Sequence, residues 1–240
     1  MDFSPARPKL FAVMARLSQL LAVHDSILLL DAASQRVQVG LFQTGKPTQW
    51  YTTQDEAGRG IFAGTDLLLR QAGLGIDEIG AFLFCAGPGS MLGTRTIAMA
   101  LRTWLALRSR PTYSYQSLAL AARFAWSQQA GRDLFVIADA RRDTWHCQAI
   151  RTDGSLLPLL RLAIGDLPAG ELLVPENFRA WAEPPRPAAT CRYDLATLFP
   201  VLMDGDYFTA TEAPDTFQHQ APEYKKWSAQ AHSAATVAPR

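Results

Sequence analysis

Apolar and polar positions in the first half of the chain follow two periods in turn. Ser26 to Asp31 (SILLLD) is an apolar run ending in an acid, and Arg36 to Phe42 (RVQVGLF) alternates, with Val37, Val39 and Leu41 on one face. Both are strand patterns. Gly45-Lys46-Pro47 turns the chain and Gln49 to Thr53 supplies a third strand, so the segment predicts an antiparallel meander of two hairpins. The period then lengthens. Gly60 to Ala72 reads as a helix, with Ile61, Leu68 and Leu69 among its apolar positions and Gly73 as its C-cap. Ile79 to Ala86 (IGAFLFCA) is short and apolar, a buried strand, and Leu92 to Arg108 places Ile97, Leu101, Trp104 and Leu105 at helical spacing. Pro111 stops that helix, Thr112 to Tyr115 is a short strand, and Gln116 to Gln129 is a third helix.

Gly87-Pro88-Gly89-Ser90 must carry the chain round the corner between the buried strand and the second helix. Glycines take backbone angles that other residues resist, and proline fixes its own φ. Such a corner presents backbone N–H groups and a helix N-terminus, which suits an anion. A tight turn that only packs strand against helix is the plainer reading, because Gly-Pro-Gly is common.

A repeat then appears. Ile27 to Asp31 followed by Ala32 falls on Phe135 to Asp139 followed by Ala140, and the alternating positions Val37, Val39 and Leu41 fall in phase on Trp145, Cys147 and Ala149. Both stretches end in a polar turn, at Thr44-Gly45-Lys46 and Thr152-Asp153-Gly154. Register held through strand, turn and strand predicts two related lobes. An acid at the first turn of each lobe, facing its counterpart across a cleft, suits phosphate and Mg²⁺. In this chain Asp31 and Asp139 are expected instead to cap their turns through nearby backbone N–H groups.

Beyond Asp153 the pattern weakens. Leu156 to Ile164 and Glu171 to Val174 are candidate strands, Pro184 to Pro187 marks an exposed loop, and Leu195 to Met203 is apolar but interrupted by Pro200. At the other end, Leu10, Met14, Leu17 and Leu21 recur at helical spacing; Arg16, Ser18 and Gln19 break the stretch, so it reads as an amphipathic helix and not a membrane span or signal peptide. The expected layout is a helical extension over 1–24, a first lobe over 25–130, a diverged second lobe over 131–228 and a disordered tail over 229–240.

Composition narrows the function. The net charge of +1 over 240 residues gives no global case for nucleic-acid binding. Cys85, Cys147 and Cys191 are odd in number and far apart, as expected of reduced thiols in a cytoplasmic protein. His24, His146, His219 and His232 have no metal-ligand spacing, and no nucleophile–base pair is visible near Ser90. No catalytic residue and no metal is assigned.

Several of these segments resemble one family. Gly87-Pro88-Gly89-Ser90 with Gly93 and Arg95 resembles the GPGSFTGxR segment of the TsaB (YeaZ-like) family of bacterial tRNA threonylcarbamoyladenosine biosynthesis. Leu30 to Ser34 resembles its first-strand IDTS-like turn, Ile137 to Arg141 its IDAR segment, and Ala221 to Lys226 its C-terminal PxYLR. The likeness runs from about 26 to 228 and is densest over Phe84 to Leu107. The chain departs at Gln54 to Gly60, where the family often has His-Ser, and at Met91-Leu92, where it has Phe-Thr. The resemblance implies an α/β, two-lobed actin-like ATPase (ribonuclease H-like) fold built from a duplicated βββαβα unit. It implies a non-catalytic subunit that pairs through its first two helices with a TsaD-like catalytic subunit, is joined by a TsaE-like ATPase, and serves N6-threonylcarbamoylation of adenosine 37 of tRNA. On that reading Leu67, Leu68, Ala98, Met99 and Leu105 face the partner, or a second copy when the chain is alone. Gly87, Pro88, Gly89, Ser90, Gly93 and Arg95 form a loop open to nucleotide contact, and Asp31, Asp139 and Arg141 mark vestigial phosphate or metal turns. ATP or ADP would bind only at the shared interface, tRNA only within the complex, and no membrane is involved. The alternative is an active ATP-dependent phosphotransferase or ATPase of the same fold; a peptidase has no catalytic dyad to support it.

Overall fold

The computed structural model describes residues 14–217, and the expectations for residues 1–13, for the Ala221–Lys226 segment and for the 229–240 tail lie outside them. Two short elements come first, β1 (Met14–Ala15) and α1 (Leu17–Val23). The periodicity that predicts one longer helix is thus divided. Met14 pairs with Thr209 in a sheet, and the helix begins only at Leu17. Leu17 and Leu20 are buried in the main core, so α1 is part of the packed molecule.

The meander forms as β2 (Ser26–Asp31), β3 (Val37–Gln43) and β4 (Gln49–Thr53). Its two pairings are antiparallel, with Leu30 opposite Val39 and Val39 opposite Tyr51. Next come α2 (Ala57–Ala72), β5 (Ala81–Gly87), α3 (Met91–Leu107), β6 (Thr112–Gln116) and α4 (Ser117–Gln128). Helix α2 starts one turn before Gly60, whose N–H bonds to Glu56 at 2.8 Å, and ends as predicted at Gly73, with φ of 69°. Gly64 lets it press on the sheet: a Cβ there would sit 2.3 Å from the Tyr51 ring.

The second lobe contains β7 (Leu134–Asp139), β8 (Thr144–Ile150), β9 (Leu160–Ala163), β10 (Leu172–Pro175), β11 (Ala188–Cys191) and α5 (Leu195–Leu202), before β12 (Phe208–Ala210). The sheet orders are β1-β12-β6-β5-β2-β3-β4 and β11-β10-β7-β8-β9. Within them, β4-β3-β2-β5-β6 and β9-β8-β7-β10-β11 repeat one pattern, so the duplication is present in the fold. The repeat unit βββαβα is incomplete in the second lobe: residues 164–171 and 176–187 hold only a 3₁₀ turn and loops where the first lobe has α2 and α3. Pro200 lies inside α5, where it removes one backbone hydrogen bond. Asp194 caps the start by accepting from the Thr197 N–H at 3.1 Å, and Leu195, Leu198, Phe199 and Leu202 hold the helix in the core.

One detail of the repeat differs from the sequence alignment. Val37, Val39 and Leu41 face the outer core of the first lobe, and Trp145, Cys147 and Ala149 face the outer core of the second, in phase. The preceding strands are out of phase. Ile27 and Leu29 face the core shared by the lobes, whereas Phe135 and Ile137 face outward. A shift of one residue in a strand moves every side chain to the other face. Asp31, following Ile27 and Leu29, therefore points into the shared core, and Asp139, following Phe135 and Ile137, points away from it. The two acids do not face each other across a cleft.

The shared core joins Leu29 and Leu83 of the first sheet to Val136 and Leu173 of the second, with α4 and α5 between them. Strand β12 then returns to the first lobe and pairs with β6. Residues 211–217 run along α3, where Arg102 donates to the Pro214 carbonyl at 2.8 Å, and reach the corner, where the Phe217 N–H bonds to the Ala86 carbonyl at 2.7 Å. Residues 208–217, expected in the second lobe, thus lie on the first.

Candidate functional site

The Gly-Pro-Gly-Ser corner packs on the first hairpin. The Ser90 N–H bonds to the Ala33 carbonyl at 2.6 Å, and the Ser90 hydroxyl caps α3 by accepting from the Gly93 N–H at 3.2 Å. The Thr94 N–H goes to the Ser90 carbonyl, and the Ser117 hydroxyl donates to that of Pro88. These donors are committed within the chain, which favours the tight-turn reading over an anion cradle. Glycine is required at two points: a Cβ on Gly89, at φ of 154°, would lie 2.3 Å from the Ala33 carbonyl oxygen, and one on Gly93 would lie 2.0 Å from that of Ala32. Gly87 also has positive φ, at 109°, and Arg95 is exposed one turn into α3. A cavity of about 330 Å³ opens beside the corner, lined by Ser34, Asp55, Glu56, Ser90 and Arg179 among others. Its two acids weigh against a phosphate there.

Asp31 has a different role from a metal turn. Its carboxylate is fully buried; one oxygen accepts the Ala33 N–H at 2.8 Å, and the other accepts the Tyr115 and Tyr193 hydroxyls, each at 2.6 Å. Tyr115 comes from β6 and Tyr193 from the second lobe, just after β11. Burial raises the Asp31 pKa above its ordinary value, against the lowering effect of these three donors. Burial also pushes both tyrosines well up, as it does Cys85, whose sulfur lies 3.7 Å from the Tyr193 hydroxyl. Beside this cluster, Gln38 accepts the Leu195 N–H at 2.8 Å, adding a second polar link between the lobes. The first-turn acid thus does bond its own turn, as expected, but its main partners are tyrosines that sequence spacing does not reveal.

Asp139 is pinned elsewhere. It accepts N–H groups from Arg141 at 2.6 Å, Trp181 at 2.6 Å and Ala182 at 3.1 Å. Partial burial would raise its pKa, but these donors and the Arg141 charge outweigh that and lower it. Among the described residues no cluster of histidine, cysteine and acid could hold a metal ion. His24 bonds to the Tyr113 hydroxyl at 3.2 Å, and the His146 ring packs edge-on to Phe217. The three thiols are buried, with Cys147 pushed up to about 11 and Cys191 to about 12.

The residues named for a partner surface divide. Leu67 and Met99 are exposed, at 43% and 58%, and Leu105 is half-buried. Leu68 and Ala98 are buried, at 1% and 3%, because their helical positions face the molecule's own core. Three exposed side chains not named from the sequence join the surface: Phe62, Met91 and Leu92. Phe62 lies edge-on to Trp104 at 5.8 Å, across the seam between α2 and α3, and Leu92, Thr96, Met99 and Thr103 form one stripe of α3. Helical phase, reckoned without a sheet position, could not separate Leu67 from Leu68.

Among the described residues no helix is long and apolar enough to cross a membrane. No family model and no curated protein matches the chain. Solved structures do. A crystal structure of an uncharacterized Pseudomonas aeruginosa protein similar to the peptidase YeaZ matches with a TM-score of 0.55 at 19% identity, over 74% of this chain and 91% of that one. YeaZ from Pseudomonas aeruginosa matches with a TM-score of 0.54, also at 19% identity, over 69% of this chain and 83% of that one. The chain has the two-lobed, actin-like α/β fold of these YeaZ structures.

Proposed function

We propose that this chain is a TsaB-like, non-catalytic scaffold subunit in tRNA N6-threonylcarbamoyladenosine synthesis, offering α2 and α3 to a TsaD-like catalytic subunit. The observation that carries the reading is the apolar seam of those helices, where Phe62, Met91, Leu92 and Met99 remain in water, with Leu67 exposed on another flank of α2. Apolar side chains gathered on one face mark an interaction site. A homologous two-lobed subunit, or a second copy of this chain, presents the same kind of helix pair in return. The TsaE-like ATPase, tRNA and any shared nucleotide belong to the assembled complex on this reading.

Asp31 supports the non-catalytic part. An active ATPase of this fold would need the first-turn carboxylate on a hydrated Mg²⁺, whereas here two tyrosine hydroxyls hold it inside the core. The experiment is co-purification from the native cell, with light scattering of the lone chain. The unaltered chain is expected to recover TsaD- and TsaE-like subunits and to dimerise when alone. Met99→Glu is expected to weaken both associations by about tenfold or more, as removal of a central apolar anchor does. Unchanged association of Met99→Glu would remove the helix surface from the proposal, and turnover of Mg-ATP by the lone chain would replace it with the ATPase reading.

A further inference from the structure

The second lobe carries an exposed feature that the helix surface does not use. The turn after β7 and the loop between β10 and β11 meet at Asp139, whose carboxylate gathers the N–H groups of Arg141, Trp181 and Ala182. Arg141, Arg142 and Asp143 all adopt left-handed backbone, with φ of 64°, 52° and 55°. Three consecutive non-glycine residues in that region are strained, and such strain persists only where the surroundings hold it. Arg161 braces the far side of the turn, donating to the Thr144 hydroxyl at 2.8 Å and the Ala140 carbonyl at 3.0 Å.

This framework sets the Arg141 guanidinium 5.0 Å and that of Arg179 5.9 Å from the centre of the Trp181 ring. Trp181 is 67% exposed, whereas Trp145 is buried and Trp50, Trp104 and Trp126 are half-buried. A cavity of about 370 Å³ lies against the ring, lined by Arg141, Arg142 and Thr144 together with Asp139 and Asp143. Arg141, Arg142 and Arg179 bring three positive charges to these loops beside Asp139, Asp143 and Glu183, so the positive charge is local to the guanidiniums and not net.

We propose that Trp181, flanked by Arg141 and Arg179, is a stacking platform for a base of single-stranded nucleic acid, with the adjoining phosphates at Arg141, Arg142 and Arg179. Both guanidiniums lie over the ring, and the indole surface that stays in water beside them takes a base while they take the backbone. A duplex would hide its base faces, so the strand must be single. Three arginines on two loops can each take a phosphate, which suits a strand over a single nucleotide. Trp181 and Arg141 lie on the second lobe, while Arg179 also borders the cavity beside the starts of α2 and α3; RNA binding by the lone chain is read separately from the proposed subunit pairing.

The test is fluorescence anisotropy of a labelled single-stranded RNA of about 12 nucleotides, a length within the usual site sizes, titrated with the full chain at low salt. The unaltered chain is expected to bind, and Trp181→Ala to lose about tenfold in affinity, the scale of a single base stack. Trp181→Phe retains a stacking face and is expected to stay within about threefold of the unaltered chain. Arg141→Gln leaves one phosphate without its cation, so it is expected to weaken binding and to reduce the salt slope by about 0.7. Circular dichroism checks that each variant is folded, which the exposure of Trp181 favours. The proposal is overturned if the RNA does not bind, or if Trp181→Ala binds it as well as the unaltered chain. It is equally overturned if AMP or polyglutamate competes as effectively as unlabelled RNA of the same length.

Discussion

At the scale of single residues, Asp31 governs most. A buried carboxylate needs its hydrogen-bond partners, and Tyr115, Tyr193 and the Ala33 N–H supply them. Burial still raises its pKa above the ordinary 3.8. The sign of the pH effect follows. Between its ordinary value and the raised folded value, the folded chain holds a proton that the unfolded chain has released. Asp31 therefore adds stability below that window, and the contribution is lost as pH rises through it. Asp31→Asn carries no titrating group and is expected to flatten the pH dependence of urea unfolding above about pH 4. An unchanged slope would mean that another group sets it.

At the scale of elements, the corner between β5 and α3 shows what the chain states in advance and what it withholds. The glycine spacing marks the corner and the start of a helix after it, whereas the cap that Ser90 provides emerges only in the fold. The partner of the corner, the Ala32–Ala33 turn, is not legible, because it lies far away in sequence and meets the corner only through backbone atoms. Gly93→Ala drives a Cβ into the Ala32 carbonyl oxygen, at a backbone that cannot yield without moving both elements. A loss of about 1–3 kcal/mol is expected in denaturant unfolding, the usual cost of overpacking. A loss under about 0.5 kcal/mol would show that corner and hairpin separate easily. The same limit explains the other misses. Periodicity gives the helices and the meander, because period reports which positions are apolar. It does not report which apolar face meets the sheet, so Leu68 and Ala98 were indistinguishable from Leu67 and Met99. Alignment of the two halves could not show that β7 is shifted by one residue relative to β8, since both phases of an all-apolar strand look alike. Trp181 sits in a Pro-rich loop with no period at all, and Arg141 meets it through the bonds both make to Asp139.

At the scale of the whole molecule, the two lobes behave as one body. A single core runs between the sheets through α4 and α5. Polar links cross the same boundary: Tyr193 to Asp31, the Leu195 N–H to Gln38, the Gln35 N–H to the Asn177 carbonyl at 2.7 Å, and Arg36 with Asp194 at 3.7 Å. The chain then leaves the second lobe and returns through β12 to the first sheet, so the second lobe is held at both ends. A hinge that opens and closes on a nucleotide would have to break these bonds and take the Tyr193 hydroxyl away from Asp31. The expected result is one cooperative unfolding transition, with amides of β3 and β8 reporting the same midpoint by hydrogen exchange in rising denaturant. Tyr193→Phe removes a second-lobe hydroxyl from a first-lobe carboxylate, so it should lower both midpoints together, by about 2 kcal/mol for a buried bond to a charged group. If β8 were lost before β3, or if Tyr193→Phe moved only one of them, the lobes would be independent units. On the proposed reading, the Asp31 clasp would hold rigid the body that offers the exposed α2–α3 seam to a partner.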